Sequence, residues 1–223
     1  MSRQLFLDTE TTGLRADEGD RIIEIGCVEL VDRRPTGRNF HVYLNPERDS
    51  HPDALRVHGL SSAFLADKPK FAEVADDLLA YVSGAELLIH NAPFDMGFLN
   101  AELRRLALPA LDTDPDLRVT DTLEMARHLY PGQSNKLDAL CKRLGIDNSL
   151  RTFHGALLDA QLLADVYIGM TRGQNSLLVD SVATGRINTS IRQDLSDLQL
   201  VVLPANAAEL HEHQTMLNEI GKK

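Results

Sequence analysis

The sequence has no tryptophan, only two cysteines, and no apolar run near the ~20 residues that a membrane-spanning helix requires. The last absence argues against a helical membrane protein. Cys27 and Cys141 lie far apart and lack the CxxC spacing of a metal or redox pair. Both sit among apolar residues and read as reduced core residues of a cytoplasmic protein. Met1-Ser2-Arg3-Gln4 runs directly into a strand-like segment instead of a secretory signal. Positive charge is also scarce: 23 Lys and Arg stand against 33 Asp and Glu, a formal net charge of −10. A protein that grips long duplex through many phosphates should be basic. The deficit leaves two readings: no nucleic acid at all, or a small site where bound cations meet the phosphate and a partner supplies the grip.

What is present is an ordinary globular composition, 43% hydrophobic over 223 residues, enough for one domain with a sizeable core and an appendage. Residues 4–8, 21–30 and 38–44 are strand-like, and Val31 through Gly37 contains the Pro and Gly of a turn between antiparallel strands. Phe71, Val74, Ala75, Leu78, Leu79 and Val82 recur at helical spacing, with Gly84 just beyond. Residues 86–90 form a short buried strand, and 95–106, 121–129, 136–144 and 155–170 read as helices. Three strands followed by alternating helices and strands predict an α/β domain with a mixed central sheet. After Arg172 the periodicity fades. Residues 174–196 have the composition of a flexible linker. Apolar patterning resumes at 197–204 and continues into a helix-like end, too small to bury a core and therefore read as a docking tail.

Carboxylates carry the chemistry. Asp8 and Glu10 stand two apart at the end of the first strand, so they share a face. Such a pair repels unless a cation or a proton intervenes, although a lone D-x-E is also common as a solvated strand end. Asp95 follows the buried strand 86–90 at the opening of a helix, where the helix dipole alone favours an acid. Asp159 lies on an apolar helix, where burial is costly unless the group is paired or metal-bound. Five residues along an ideal helix turn away by roughly 140° from the starting face. His154 can therefore share a site with Asp159 only from the loop ahead of the helix. By itself, His154 is equally a surface histidine.

The ordered set Asp8-Thr9-Glu10-Thr11-Thr12-Gly13, Asn91-Ala92-Pro93-Phe94-Asp95 and His154 through Asp159 resembles the DEDD exonuclease superfamily, in the branch with histidine in the third motif. Residues 20–44, Val57-His58-Gly59-Leu60, 69–79, Leu137-Asp138-Ala139-Leu140-Cys141 and His154 through Gln161 also look like the proofreading (epsilon) subunits of bacterial DNA polymerase III. The likeness covers nearly the whole chain. It implies an RNase H-like fold with a mixed five-stranded sheet, and 3′→5′ hydrolysis of DNA that releases nucleoside 5′-monophosphates. It also implies two divalent ions, Mg²⁺ or Mn²⁺ given oxygen ligands. By similarity, Asp8 bridges both ions, Glu10 and Asp159 help hold one, and Asp95 serves the other mostly through water. His154 is the implied general base for the attacking water, since imidazole changes charge near neutral pH. Thr9, Thr11 and His58 are implied contacts of the last nucleotide. Position 53 also belongs to this set, but carries Asp where better-known members have Glu.

The implied domains are 1–173 for the exonuclease, 174–196 for the linker and 197–223 for the docking segment. Gln174-Asn175-Ser176-Leu177-Leu178-Val179 resembles a sliding-clamp-binding peptide, with Gln174, Leu177 and Leu178 as its anchors. The segment 197–223 resembles the one that holds the polymerase alpha subunit. Two rivals stay open: an RNA 3′-end trimming or free-standing repair enzyme with the same chemistry, and a replisome scaffold whose nuclease site is dead. Loss of one carboxylate would mark the scaffold, and none is missing.

Overall fold

The protein was examined as a computed structural model that describes residues 3–149 and 153–172. The expected linker, clamp-binding peptide and docking tail fall outside these residues. The chain runs β1 (Arg3–Thr11), β2 (Ile22–Val31), β3 (Arg34–Pro35), β4 (Phe40–Tyr43), α1 (Pro52–His58), α2 (Ser62–Leu65), α3 (Phe71–Val82), β5 (Glu86–Ile89), α4 (Ala92–Arg105), β6 (Arg118–Asp121), α5 (Thr122–Leu129), α6 (Leu137–Leu144) and α7 (Ala156–Thr171). None of the described helices is long and apolar enough to cross a membrane.

β1 pairs antiparallel with β2 and parallel with β5, and β5 pairs parallel with β6. The sheet has six hydrogen-bonded segments where five strands were expected. The difference is local. β3 and β4 both pair with β2, the first beside Leu30 and Val31 and the second beside Glu24 through Cys27. They are two pieces of one return strand, interrupted where Pro35 offers no backbone donor and Gly37 takes a φ of 78°.

Alternation along the strands assigns the two faces. Leu5, Leu7, Ile25, Cys27, Leu87 and Ile89 belong to a core completed by α3 and α4. Phe6, Val28, Leu30 and Leu88 face the other way, onto Ala160, Leu163 and Ala164 of α7. Full burial of each large apolar side chain contributes about 1.5–3 kcal/mol. The α3 pattern holds, with Phe71, Ala75, Leu78 and Val82 buried. α4 starts at Ala92, three residues ahead of the expected start, because Pro93 suits a first helical turn that needs no donor. β6 and α1 were not anticipated. β6 is a four-residue strand exposed along half its length, and α1 is only seven residues long, so neither carries a strong apolar period.

Candidate active site

The site lies at the carboxyl ends of the parallel strands β1 and β5, the edge where open α/β sheets hold their ligands. Residue parity on β1 divides the work. Asp8 and Glu10 share the face of Phe6, toward α7, whereas Thr9 shares the face of Leu5 and Leu7, toward α4. Thr9 meets α4 there: its hydroxyl donates to Asp95 Oδ1 at 2.7 Å.

Asp95 reaches this edge because the chain turns sharply after β5. Asn91 takes a left-handed conformation, φ 75° and ψ 53°, which asparagine tolerates better than most residues. Its backbone N–H donates to Asp121 Oδ1 at 3.1 Å. Asp95 then falls in the first turn of α4, where its carboxylate is 3% exposed. Burial pushes the Asp95 carboxyl up to about 7, against the lowering effect of the Thr9 hydrogen bond.

On the other face, α7 reaches the strands through Gly26. This residue is paired with Asp8 across β1 and β2, and a Cβ built on it would lie 2.3 Å from both the Ala156 carbonyl carbon and the Leu157 nitrogen. Only a glycine lets the first turn of α7 approach so closely. Asp159, in that first turn, is thereby buried beside Glu10. His154 lies ahead of the helix, as its five-residue separation from Asp159 requires, and its Nδ1 is 3.3 Å from Asp159 Oδ2. The histidine loop is latched to α1: His154 N–H donates to the Val57 carbonyl at 3.1 Å. Phe153 covers Gly59, where an added Cβ would meet its ring at 3.1 Å.

Asp8, Thr9, Glu10, Asp95, His154 and Asp159 all line one cavity of about 460 Å³. Glu10, His154 and Asp159 each offer a ligand atom, and these lie within 4.8 Å of one another, close to the span of two oxygens on one hard cation. Buried carboxylates crowded at one strand edge, one of them driven toward protonation, suit divalent ions as resident partners. The donor set fits the implied metal.

The other expected contacts are placed differently. Thr11 is buried and donates to the Gly13 carbonyl at 2.6 Å. Asp53 lies in a second cavity, of about 620 Å³, with Gly13, Leu14, His51 and Val57. It pairs with Arg56, and its side chain is 87% exposed. His58 is buried, and its Nδ1 accepts from the Leu60 N–H at 2.9 Å. The proton therefore resides on Nε2, which is buried without a hydrogen-bond partner among the described residues. Burial also holds the His58 imidazole below its usual value. The sequence reading does not single out Gly26, His90, Arg127 or Lys136, the last three of which line the carboxylate cavity. None of them stands at a spacing that would single it out.

The Exonuclease family model matches residues 5–167. DNA polymerase III subunit epsilon of Pasteurella multocida (strain Pm70) is 52% identical, over all of this chain and 90% of its own length. The Escherichia coli K12 protein of the same name is 48% identical over all of this chain and 95% of its own. Among solved structures, exonuclease X in complex with 5′ overhanging duplex DNA matches with a TM-score of 0.60 at 26% identity, over 78% of this chain and 93% of that one. The zinc-bound E. coli ExoI–ssDNA complex matches with a TM-score of 0.70 at 20% identity, over 82% of this chain but 43% of that longer chain, and supports the fold alone. With full-length relatives at this identity and an exonuclease match across nearly all the described residues, the chain belongs to the family of DNA polymerase III epsilon subunits.

Proposed function

We propose that this 3′→5′ exonuclease subunit works with Asp8, Glu10, Asp95 and Asp159 as the holders of two divalent ions, Mg²⁺ or Mn²⁺, and with His154 as general base. One observation carries the reading: four carboxylates and a histidine from β1, α4 and the start of α7 converge on a single cavity at the strand ends. The bound ions would neutralise the phosphate and assist both the attacking water and the departing oxygen. The chain's own residues do the rest. Asp8 lines the cavity on the same strand face as Glu10 and would help hold the ions. Glu10 and Asp159 close it from the α7 side, and Asp95, fixed by Thr9, closes it from the α4 side.

His154 takes the proton of the attacking water. Its Nδ1 stands 3.3 Å from Asp159 Oδ2, which orients the imidazole at the carboxylates. His58, with an Nε2–H that lacks a partner among the described residues, is the donor for the terminal nucleotide, aided by Thr9 and Thr11. Asp53 is assigned a minor role, because it is paired with Arg56 and lies outside the carboxylate cavity. Residues 1–173 form the catalytic domain. Residues 197–223 hold the polymerase alpha subunit, and Gln174, Leu177 and Leu178 engage the sliding clamp from the linker 174–196. A weak grip on free DNA, expected from the net charge of −10, fits delivery of the 3′ end by a polymerase.

The test offers Mg²⁺-loaded protein matched 3′-ended DNA and RNA strands and measures monophosphate release. Release of deoxynucleoside 5′-monophosphates faster than ribonucleotides is expected. Faster RNA degradation would return the RNA-trimming reading to first place.

A further inference from the structure

We propose that Arg127 and Lys136 form a subsite for the phosphodiester one nucleotide upstream of the scissile bond, so that the DNA strand leaves the active site over α5 and α6. This rests on the exonuclease reading and adds a direction to it.

The first support is the state of these two cations. In a chain with excess acid, buried carboxylates take up many of the basic side chains: Arg3 and Arg38 serve Glu29, Arg21 and Arg105 serve Glu102, and Arg48 serves Asp20. The side chains of Arg127 and Lys136 are exposed, make no hydrogen bond or ion pair among the described residues, and line the carboxylate cavity. Asp138 on the same wall accepts from Asn148 Nδ2 at 3.0 Å.

The second is that their supports are rigid. Arg127 is on α5, whose N-cap Asp121 also holds the Asn91 N–H at the catalytic turn. Lys136 ends a loop tied down at several points. Asn135 Nδ2 donates to the Tyr130 carbonyl at 3.2 Å, and Arg143 donates to the Ser134 carbonyl at 2.9 Å. His90 Nε2 faces the Asn135 carbonyl at 2.9 Å, so that nitrogen carries the proton, with Nδ1 toward the Thr122 hydroxyl at 3.0 Å. Burial holds His90 below its usual value, and the imidazole is neutral at pH 7. The loop carrying Lys136 is thus fastened to the end of β5, beside the carboxylates. Pre-placed donors of this kind bind an anion without the entropy of ordering a loop.

The third is position. The sheet runs β2–β1–β5–β6. The carboxylates straddle β1 and β5. The expected contacts of the terminal nucleotide stand on β1 and α1, while Arg127 stands on α5 and Lys136 caps α6, two helices packed on α7. A strand whose last nucleoside sits on the α1 side can continue along the carboxylate cavity toward α5 and α6, whose two cations line it. Its next phosphate is the first one out of reach of ions held at the carboxylates, and needs its own counter-charge.

The test uses a short single-stranded DNA with a neutral methylphosphonate at the second linkage from the 3′ end, compared with the all-phosphate strand. Neutralisation should lower kcat/KM of the unaltered protein by about tenfold or more. An Arg127→Gln, Lys136→Gln double variant should be slowed by a similar factor on the all-phosphate strand, and respond to neutralisation by less than about twofold. Its logarithmic salt dependence should be shallower by about 0.7, from one phosphate no longer neutralised on a single strand. Both side chains are exposed, so the fold should be unaffected, which a thermal melt verifies. A double variant as sensitive to neutralisation as the unaltered protein, or an unaltered protein indifferent to it, would overturn the subsite. No hydrolysis of the all-phosphate strand by the unaltered protein would instead sink the exonuclease reading beneath it.

Discussion

Two groups of carboxylates are buried to similar depth in this protein, and their surroundings differ in kind. Glu29 is 1% exposed at the outer end of β2. There Arg3 approaches at 2.5 Å and Arg38 at 2.8 Å, and the Thr36 hydroxyl donates to it. Glu102 is also 1% exposed and holds Arg21 at 2.6 Å and Arg105 at 3.2 Å. Asp95 is buried as deeply, yet receives a threonine hydroxyl and no Lys or Arg ion pair among the described residues. The electrostatic consequence has opposite sign. Burial alone would raise Glu29, but hydrogen bonds from Thr36, Arg3 and Arg38 outweigh it and hold the carboxyl below its ordinary value. Asp95 is raised to about 7. A buried acid supplied with arginine is a structural tie, whereas one left with a hydroxyl among other acids is a place for a metal.

The sharpest way to break this contrast is to remove one member from each group. Asp8→Ala should lower hydrolysis about a thousandfold or more by removing a carboxylate that would hold the ions, with an unchanged thermal melt. Near-normal rates from that folded variant in Mg²⁺ would dissolve the site assignment. Glu29→Ala should do the reverse. Chemical denaturation should reveal a loss of about 2 kcal/mol, since Thr36, Arg3 and Arg38 lose their buried acceptor and a small cavity is left, while activity per folded molecule stays near normal.

A smaller effect is expected at Gly26. Its Ala variant must displace the start of α7 and with it Asp159 and His154. A shift of about 1 Å in such groups costs on the order of a hundredfold in kcat. A variant with lower thermal stability but unchanged kcat would reduce Gly26 to packing alone.

The smallest effect is the most diagnostic. Because the folded-state value of Asp95 is raised, its contribution is complete below the unfolded value of 3.8 and is lost as pH rises through about 7. In chelator, the stability difference between the unaltered protein and Asp95→Asn should therefore shift by about 2 kcal/mol against the unaltered protein between pH 5 and 8. Mg²⁺ should restore more at pH 8 than at pH 5. Glu29, held low, contributes in the opposite sense, and its share is lost only as the solution becomes acidic. Metal-free profiles that run parallel in the unaltered protein and in Asp95→Asn from pH 5 to 8 would remove Asp95 from this account.

The sequence by itself determined the strand and helix periods, the order of the three acidic motifs, and the requirement that His154 stand off its helix. These follow from local geometry: side chains alternate along a strand and advance by a fixed angle along a helix. It also determined the acidic balance, and hence a site that needs cations. Only the tertiary structure decided that Asp95 is driven up by burial, that Gly26 admits α7, that His58 Nε2 has no partner among the described residues, and that Arg127 and Lys136 share the cavity. Each depends on which residues, distant in the chain, the sheet order brings within a few ångströms. No spacing in the sequence encodes that distance. The return strand was legible as strand-like residues but not as two segments, because its interruption turns on one proline without a donor and one glycine with positive φ. The carboxylates announced a metal, and their neighbours in space told the functional acids from the structural ones.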